Sequence, residues 1–493
     1  MKKLKIVAGI VVPLLLLLAL AVPAAANVLP PVEPPEVTAE LDPGSTLTVA
    51  KSVAVPEIPP LPDIYFLADT TGSMIDVIET VAANADAIMD AILLEAPNAQ
   101  FGVGNYKDFP YDPYAFDNQL NITDDTAAVA AAINDWVTVA GGGGDWPEGQ
   151  FYALTQIVDP GVGWRADSSK IVVWIGDSPA HDPVPMAATG LLWDITETTV
   201  TDALVAAGIS VIAISLNTGT YPDGLDDDPM LYGGDYAAAY GITEDGTLGQ
   251  ASRIAAATGG VYLFAATPEE AVAAITAGLQ ALSTDVWWTV EADPGLTVTL
   301  DPAVRYDVLS GTTVGFDETI EVTADPSVST TFNATVTFWA NSYPEAGAVI
   351  GEETITITVM AIDIKPWSCP NTINPKSNGV VSVAILGGET FDVTTVDVTT
   401  LTFGPSGATP AHDLTDPAVY ADHLVQPWLV NPLDPEPDWY YFTANEDDYV
   451  DLVVHFHQKD TGLAPGMTTA CLTGELLDGT DFSAYDSVRV LAK

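Results

Sequence analysis

At 493 residues the chain is long enough for roughly two to four domains, and a hydrophobic content of 48% is sufficient for well-filled cores. The formal net charge is −53 at pH 7, and it becomes −56 without the three lysines of residues 1–26. So much acid argues against nucleic acid or an anionic lipid surface as a partner. It suits a medium rich in salt or cations, where screening weakens self-repulsion.

Residues 1–26 have the layout of a signal peptide. Lysines come first, an apolar stretch containing the leucine run Leu14–Leu18 follows, and the segment ends in three alanines at 24–26. We therefore predict cleavage after Ala26 and an exported protein that is secreted or held at the cell surface; an uncleaved membrane anchor is the alternative. No other stretch predicts a membrane span, so we expect no membrane insertion after cleavage.

Two short segments follow the predicted signal peptide. Residues 27–35 are rich in proline and predict an extended tether. Residues 36–62 alternate apolar and polar side chains around the turn signal at 42–45, DPGS, which predicts two strands. Two strands alone cannot bury a core, so we expect them to pair with strands elsewhere in the chain.

The most informative stretch has the sequence PDIYFLADTTGSMID. The apolar run at 64–68 predicts a buried parallel strand, and the glycine-free segment 74–95 predicts a helix. Asp69, Thr71 and Ser73 then lie at the carboxyl end of the strand, where open α/β sheets bind ligands. One carboxylate and two hydroxyls suit Mg²⁺, Mn²⁺ or Ca²⁺ better than zinc. The alternative is that Thr71 or Ser73 only caps the helix.

Strands and helices alternate after this motif, as in a parallel sheet covered on both faces. We predict strands at 64–68, 101–106, 170–176, 209–215 and 261–264. We predict helices at 74–95, 125–136, 149–158, 197–207, 247–258 and 268–282. Residues 218–246 form a long acidic loop insertion, which is either a solvated loop or a further cation site.

The DTTGS motif resembles the DxSxS or DxTxS metal-ion-dependent adhesion site of von Willebrand factor A domains. Further segments follow in the order of that family: QFGVGNYKDF from Gln100, GGGGDWPEGQ from Gly141, and GWRADSSKIVVWIGDSPAHDP from Gly163. The DWPEG turn and the GWR segment are similar in particular to the integrin β-subunit version. The resemblance spans about residues 63–284 and implies an α/β fold with a doubly wound, mostly parallel sheet.

The same resemblance implies an adhesion site that binds Mg²⁺ or Mn²⁺. Its ligands would be Asp69, Thr71, Ser73, Glu148 and Asp177. Most other A domains use a threonine from the second loop, whereas this chain has Gly141–Gly144 there and supplies Glu148 instead. That departure is also found in integrin β subunits, and it makes the site more negative.

Two flanking sites, suited to Ca²⁺, are implied as well. The residues at their positions are Asp76, Asp108, Asp145 and the carbonyl of Pro147, together with Glu148 and Asp177. Gly143 stands where one site expects an asparagine, and Val77 replaces a second acid in the other. Asp76 is equally well explained as a carboxylate that favours the positive end of a helix dipole.

Residues 285–361 alternate threonine and valine between proline and glycine corners, which predicts a small antiparallel β-sandwich. In integrin β subunits the A domain is looped out of such a sandwich. The resemblance therefore implies an α/β domain inserted in, or followed by, the sandwich, with residues 36–62 supplying strands to it. In that family the last A-domain helix shifts on ligand binding, and here the helix at 268–282 runs directly into the sandwich.

Residues 362–493 predict an all-β module similar to one repeated at the C-termini of many bacterial secreted proteins. It contains Cys369 and, farther along, Cys471. An exported chain favours a disulfide between them, and two buried free thiols are the alternative.

The sequence favours binding over catalysis. It contains no nucleophile elbow, phosphate-binding loop or zinc signature, and of its five histidines only His181 lies near the predicted metal site. The resemblance implies cation-dependent adhesion, in which a carboxylate of a protein ligand, or of a matrix or cell-surface component, completes the coordination of the metal. The alternative is a structural surface or matrix protein whose metal only stabilises the fold.

Overall fold

The computed structural model describes residues 31–492 with several gaps. The gaps are residues 159, 218–221, 232–235, 325–327, 342–346, 367, 413–419 and 422–448. The predicted signal peptide lies outside the described residues. The described chain contains a β-sandwich, an α/β domain and a C-terminal all-β module.

Three strands precede the α/β domain. They are β1 (Val32–Glu33), β2 (Glu36–Glu40) and β3 (Thr46–Ala54). β1 pairs antiparallel with β3, and the Val32 side chain is fully buried in the sandwich core. The prediction of an extended tether over 27–35 is therefore wrong for β1, because an apolar side chain in this proline-rich segment packs against the sandwich.

A six-stranded sheet forms the centre of the α/β domain. Its strands are β4 (Pro62–Asp69), β5 (Gln100–Tyr106), β6 (Phe116–Thr123), β7 (Ser169–Gly176), β8 (Ile209–Leu216) and β9 (Val261–Ala265). The order is β6-β5-β4-β7-β8-β9, and only the edge strand β6 pairs antiparallel. β4 lies between β5 and β7 with all eight of its residues buried, as a strand covered on both faces requires.

Nine helices of the described residues belong to this domain. They are α1 (Ile75–Ala83), α2 (Ala85–Glu95), α3 (Thr126–Val139), α4 (Gln150–Ile157), α5 (Met186–Thr189), α6 (Glu197–Ala206), α7 (Tyr236–Tyr240), α8 (Gln250–Ala257) and α9 (Pro268–Gln280). Successive β4 residues point to opposite faces: Phe66 packs with α1 and α9, and Leu67 packs with α4, α6 and α8.

Three details of the α/β domain differ from the sequence prediction. The single helix predicted at 74–95 is wrong, because the Asn84 side chain donates a hydrogen bond to the Thr80 carbonyl (2.8 Å) and separates α1 from α2. The strand β6 was not predicted, since its sequence FDNQLNIT lacks a continuous apolar run. The loop predicted at 218–246 contains α7 in its described part.

The sandwich consists of two sheets. Its later strands are β10 (Ser283–Ala292), β11 (Leu296–Asp301), β12 (Val304–Leu309), β13 (Thr313–Val322), β14 (Thr330–Ala340) and β15 (Ala348–Val359). The sheet orders are β1-β3-β13-β11 and β12-β10-β14-β15-β2. Both sheets thus contain strands from before the α/β domain, with β3 antiparallel to β13 and β2 parallel to β15. The α/β domain is inserted between β3 and β10.

The described part of the C-terminal module is built from short strands around one apolar core. The strands are β16 (Ile362–Ile364), β17 (Thr372–Ile373), β18 (Val380–Ile385), β19 (Val396–Phe403), β20 (Tyr420–Ala421), β21 (Asp451–His457), β22 (Thr469–Leu476), β23 (Asp481–Ser487) and β24 (Arg489–Val490). None of the helices in the described ranges has the length and apolar character needed to cross a membrane.

The predicted disulfide is wrong, because Cys369 and Cys471 are both free thiols. Cys369 lies exposed in the turn between β16 and β17, while Cys471 lies on β22, which pairs with β19 and β23 in a different sheet. The alternative of two buried thiols is also wrong, since Cys369 is exposed and Cys471 is only partly buried.

Candidate metal-binding site at the carboxyl edge of the central sheet

Asp69 ends the central strand β4 and is fully buried. Its Oδ1 accepts hydrogen bonds from the backbone N–H and the hydroxyl of Thr71, both at 2.8 Å. Its Oδ2 is buried and has no hydrogen-bond partner among the described residues. The side chain of Thr71 makes no helix-capping bond, so the capping alternative does not describe this residue.

Ser73 and Asp177 meet across the sheet edge. Asp177 follows β7 directly, next to the end of β4, and is fully buried. The Ser73 hydroxyl donates to Asp177 Oδ1 at 3.0 Å, and Ser73 itself is exposed. Both motif hydroxyls thus donate their hydrogens to carboxylates, which leaves their oxygen lone pairs available to a cation.

Glu148 approaches the motif from the DWPEG turn. Its backbone N–H donates to the Pro179 carbonyl at 3.0 Å, which fixes the turn beside the loop that follows β7. A Cβ added at Gly143 would lie 3.1 Å from Glu148 Oε1 and 3.3 Å from Thr71 Cβ. Glycine at 143 therefore leaves room for Glu148 beside Thr71. The other Glu148 oxygen, Oε2, is buried without a partner among the described residues.

The buried carboxylates repel one another. Burial raises the pKa of Asp69 to about 8, the charge of Asp177 adds to the rise, and the hydrogen bonds from Thr71 oppose it. Burial, followed by the charges of Asp69 and Asp108, also raises the pKa of Glu148 well above its usual range. Neighbouring carboxylates that are buried and ionised destabilise the folded protein unless a cation compensates their charge. The oxygen donors and the two unpartnered buried oxygens fit a hard divalent cation such as Mg²⁺ or Mn²⁺.

Lys107 was not singled out in the sequence, although it is one of only 14 basic residues and follows β5 directly. Its ammonium donates to the Thr70 carbonyl at 2.9 Å and to the Gly141 carbonyl. These bonds hold the glycine loop against the DTTGS motif. Burial lowers the pKa of Lys107, while the nearby carboxylates, including Asp112 and Asp69, oppose this shift.

The predicted flanking residues do not all come together. Asp108 and Asp145 lie around His181: His181 Nε2 is 3.0 Å from Asp108 Oδ1 and 3.4 Å from Asp145 Oδ1. Pro147 is buried in the same turn as Glu148. Asp76 instead lies exposed in the first turn of α1, where a carboxylate favours the helix dipole.

Two further residues lie at the flanking position: His181, which the sequence placed near the predicted metal site without a role, and Glu244, which was not predicted. Glu244 Oε1 lies 2.8 Å from His181 Nδ1, and the Tyr236 ring stacks on the imidazole with centroids 3.6 Å apart. Burial lowers the pKa of His181, but the hydrogen bonds to Asp108, Asp145 and Glu244 outweigh burial and raise it to about 10. The only signal in the sequence was a histidine five residues after the predicted strand 170–176.

Comparisons with known proteins match the part of the chain that contains this site. A family model described as "Integrin beta-like protein A-E, vWA-like" matches residues 32–220. Integrin beta-6 of Sus scrofa is 24% identical over 186 residues, which cover 33% of this chain and 23% of that protein. The alpha-protein kinase vwkA of Dictyostelium discoideum is 28% identical over 121 residues, which cover 24% of this chain and 19% of that protein.

The chain therefore carries a von Willebrand factor A domain of the integrin β type. This confirms the resemblance inferred from the DTTGS motif and the three segments that follow it. The match spans less than a quarter of the length of the integrin beta-6 relatives, and human integrin beta-6 is 23% identical over the same share of each chain.

Proposed function

We propose that this protein binds its partners through a divalent cation held by the α/β domain, and that it does so outside the cell. The observation that carries the proposal is a pair of buried carboxylate oxygens, Asp69 Oδ2 and Glu148 Oε2, that have no hydrogen-bond partner in the part of the chain that the structure describes. They lie in a site whose outer side, Ser73 and the loop Gly142–Gly144, is exposed to solvent. A cation bound there would be held by the buried carboxylates on its inner side, and a ligand could reach it from the solvent-exposed side.

Five side chains would hold the cation. They are Asp69, Thr71, Ser73, Glu148 and Asp177. Mg²⁺ takes six ligands in near-octahedral geometry and often retains waters, so a position on the exposed side stays available to a partner. A bound cation supplies a positive charge and an open coordination position at this sheet edge.

The ligand group that suits this site is a carboxylate of the partner protein. A chain with a formal charge of −53 repels an acidic partner at long range. A divalent cation at close range reverses the local sign, because the Coulomb interaction is strongest where solvent is excluded. Such a contact depends on the cation and is less sensitive to added salt than a surface charge pair.

The surroundings of the site favour binding rather than hydrolysis. A hydrolase would need a positioned general base beside the metal or a nucleophile with its base. His181 is the one histidine between residues 63 and 284, and both of its ring nitrogens face carboxylates in a buried position. It is therefore engaged within the protein and does not face the exposed side of the site.

Selection of random peptides displayed on phage tests the proposal, with the full chain as the immobilised target and Mn²⁺ present. We expect the selected peptides to share an Asp or Glu whose replacement by Asn or Gln abolishes binding. A chelator should release them, and the Asp69→Ala protein should not retain them. Asp90→Ala, which removes an exposed carboxylate of α2, serves as the charge-matched control.

Three results would contradict this function. Peptides that bind equally well after chelation would show that the binding surface lies elsewhere. Retention of the same peptides by the Asp69→Ala protein would show that this site does not contact them. If Mg²⁺ raises the melting temperature but no carboxylate peptide is selected, the metal stabilises the fold without binding a partner.

A further inference from the structure

We propose that His181, Asp108 and Asp145 form a second metal site. The histidine makes this site selective for Zn²⁺ and Co²⁺ over Ca²⁺. The resemblance to integrin β subunits implies only an oxygen-lined calcium site at this position, with an asparagine that Gly143 replaces. The structure instead brings in a nitrogen ligand from the loop after β7. The proposal does not depend on the function proposed for the neighbouring Asp69 site.

The distances between the three side chains suit a single ion. One ligand atom from each of Asp108, Asp145 and His181 lies within 4.8 Å of the others. Two ligand atoms bound at about 2.1 Å to one ion lie about 3.0 Å apart at a right angle and about 3.4 Å apart at the tetrahedral angle. His181 Nε2 is 3.0 Å from Asp108 Oδ1 and 3.4 Å from Asp145 Oδ1, which matches these two separations.

The imidazole is oriented by its neighbours as metal-binding histidines are. Glu244 accepts a hydrogen bond from His181 Nδ1 at 2.8 Å, which leaves Nε2 as the atom that faces Asp108 and Asp145. A carboxylate on the far nitrogen is the usual partner of a metal-ligating histidine, because it fixes the tautomer and the ring orientation. The Tyr236 ring, stacked at 14° to the imidazole, fixes the plane of His181 from one side.

Backbone hydrogen bonds also fix the Asp108 carboxylate. Asp108 Oδ1 accepts a hydrogen bond from the Phe109 backbone N–H at 2.6 Å, and Oδ2 accepts one from Gly144 at 3.2 Å. The His181 backbone N–H donates to the Glu148 carbonyl at 3.1 Å, so the histidine loop is attached to the turn that contains Asp145. Glu148 Oε2, buried and unpartnered among the described residues, is a further oxygen near Asp108.

The ligand types determine which ions this site prefers. Ca²⁺ takes six to eight oxygen ligands, typically at about 2.3–2.6 Å, and gains little from an imidazole. Zn²⁺ binds imidazole nitrogen and carboxylate oxygen in four-coordinate sites, and three protein ligands leave one position for water or another donor. We therefore expect Zn²⁺ and Co²⁺ to bind here far more tightly than Ca²⁺.

Calorimetric titration of Zn²⁺ into the chelator-treated full chain tests the site, with saturating Mg²⁺ present to fill the Asp69 site. We expect one tight Zn²⁺ equivalent that excess Ca²⁺ does not displace. His181→Ala should abolish that equivalent, and Glu244→Gln should weaken it by about 10- to 100-fold because only the orientation of the ring is lost. His455→Ala is the matched histidine control, since His455 lies in the C-terminal module beside His412.

Asp69→Ala separates this proposal from the preceding one, because it should remove the Mg²⁺ site and leave the Zn²⁺ equivalent unchanged. Glu244→Gln, which keeps the size of the side chain, provides a second test if circular dichroism shows that His181→Ala does not fold. A wild-type protein that binds no Zn²⁺ in the presence of Mg²⁺ would overturn the proposal and leave His181 as an ion-paired imidazolium. Loss of Zn²⁺ with His455→Ala but not with His181→Ala or Glu244→Gln would also overturn it.

Discussion

Gly143 and Glu148 share one small space at the sheet edge. A Cβ at residue 143 would lie 3.1 Å from Glu148 Oε1, and the backbone φ of Gly143 is +82°, which L-residues with a side chain rarely adopt. The glycine loop and the glutamate are therefore interdependent, because glycine at 143 leaves open the space beside Thr71 that Glu148 occupies.

This interdependence predicts the effect of Gly143→Ala. We expect Mg²⁺ affinity to fall by about tenfold, because the methyl group displaces Glu148 from the site, a change equivalent to about 1.4 kcal/mol. The backbone strain should also cost about 1 kcal/mol of stability. Mg²⁺ calorimetry and urea unfolding measure the two effects separately.

Gly190→Ala is the control for strain alone. Gly190 has a similar φ of +74°, but a Cβ there would meet no atom within 4 Å. We expect a comparable loss of stability and no change in Mg²⁺ affinity. If both variants lowered Mg²⁺ affinity equally, the contact between residue 143 and Glu148 would not be the cause.

At the scale of the elements, Lys51 on β3 connects the two sheets of the sandwich. It is buried, lies 3.3 Å from Glu318 on the neighbouring β13, and pairs with Glu353 on β15 of the opposite sheet. Burial raises the pKa of Glu353 to about 7, although the hydrogen bond from Lys51 opposes the shift. The lysine therefore compensates two buried acids that have no other basic partner among the described residues.

Lys51→Met should lower the free energy of unfolding by about 3–5 kcal/mol near pH 8, because it leaves buried acids without a cation. The loss should be smaller at pH 5. An acid whose pKa is higher in the folded than in the unfolded state stabilises the fold at a pH below its unfolded-state pKa. This stabilisation is lost as the pH rises through the folded-state pKa, which for Glu353 is about 7. Urea unfolding at both pH values measures the difference.

The variant in which Lys51→Met is combined with Glu318→Gln and Glu353→Gln is the matched control. Removing both charges should recover part of the lost stability at pH 8 and make the remaining loss independent of pH. An equal loss at pH 5 and pH 8 for Lys51→Met alone would show that packing, and not charge, explains the effect.

The elements that the sequence predicted most reliably are those with continuous apolar runs. Strands such as β4 and β7 are buried on both faces, so their burial is visible as an unbroken run of apolar letters. The edge strand β6 has polar residues on its exposed side and was missed. The break at Asn84 was missed because it depends on one local side-chain hydrogen bond.

The candidate site was only partly predictable for a similar reason. Asp69, Thr71 and Ser73 lie within one short motif, whose spacing indicates metal ligation without a structure. His181 and Glu244 are separated by 63 residues, and no spacing rule connects them. Their contact arises from the packing of loops against each other, which the chain order does not reveal.

At the scale of the whole molecule, the α/β domain is joined closely to the sandwich. α9 ends at Gln280, and β10 begins at Ser283. The Leu282 carbonyl between them accepts a hydrogen bond from the Ser310 backbone N–H at 3.0 Å. A second connection runs through Asn341 at the end of β14, whose side-chain amide donates to the Pro60 carbonyl at 3.2 Å.

This close connection predicts that ligand binding changes the angle between the two domains. A shift of α9 would be transmitted to β10, because only two residues separate them, and a ligand that prefers the shifted state would change the population. Small-angle scattering with Mn²⁺ and a selected carboxylate peptide, compared with Mn²⁺ alone, measures the change. Identical scattering curves under the two conditions would rule out this coupling.

Mg²⁺ calorimetry on the chelator-treated full chain tests most directly whether a divalent cation binds at Asp69. We expect the wild-type protein to bind Mg²⁺ at this site and the Asp69→Ala protein to lose that binding. Without metal, the variant should unfold at a similar temperature to the wild-type protein. The Asp69 carboxylate is buried and repelled by the charge of Asp177, so its removal also removes an unfavourable interaction. Unchanged Mg²⁺ affinity in a folded Asp69→Ala protein would show that the cation does not bind at Asp69.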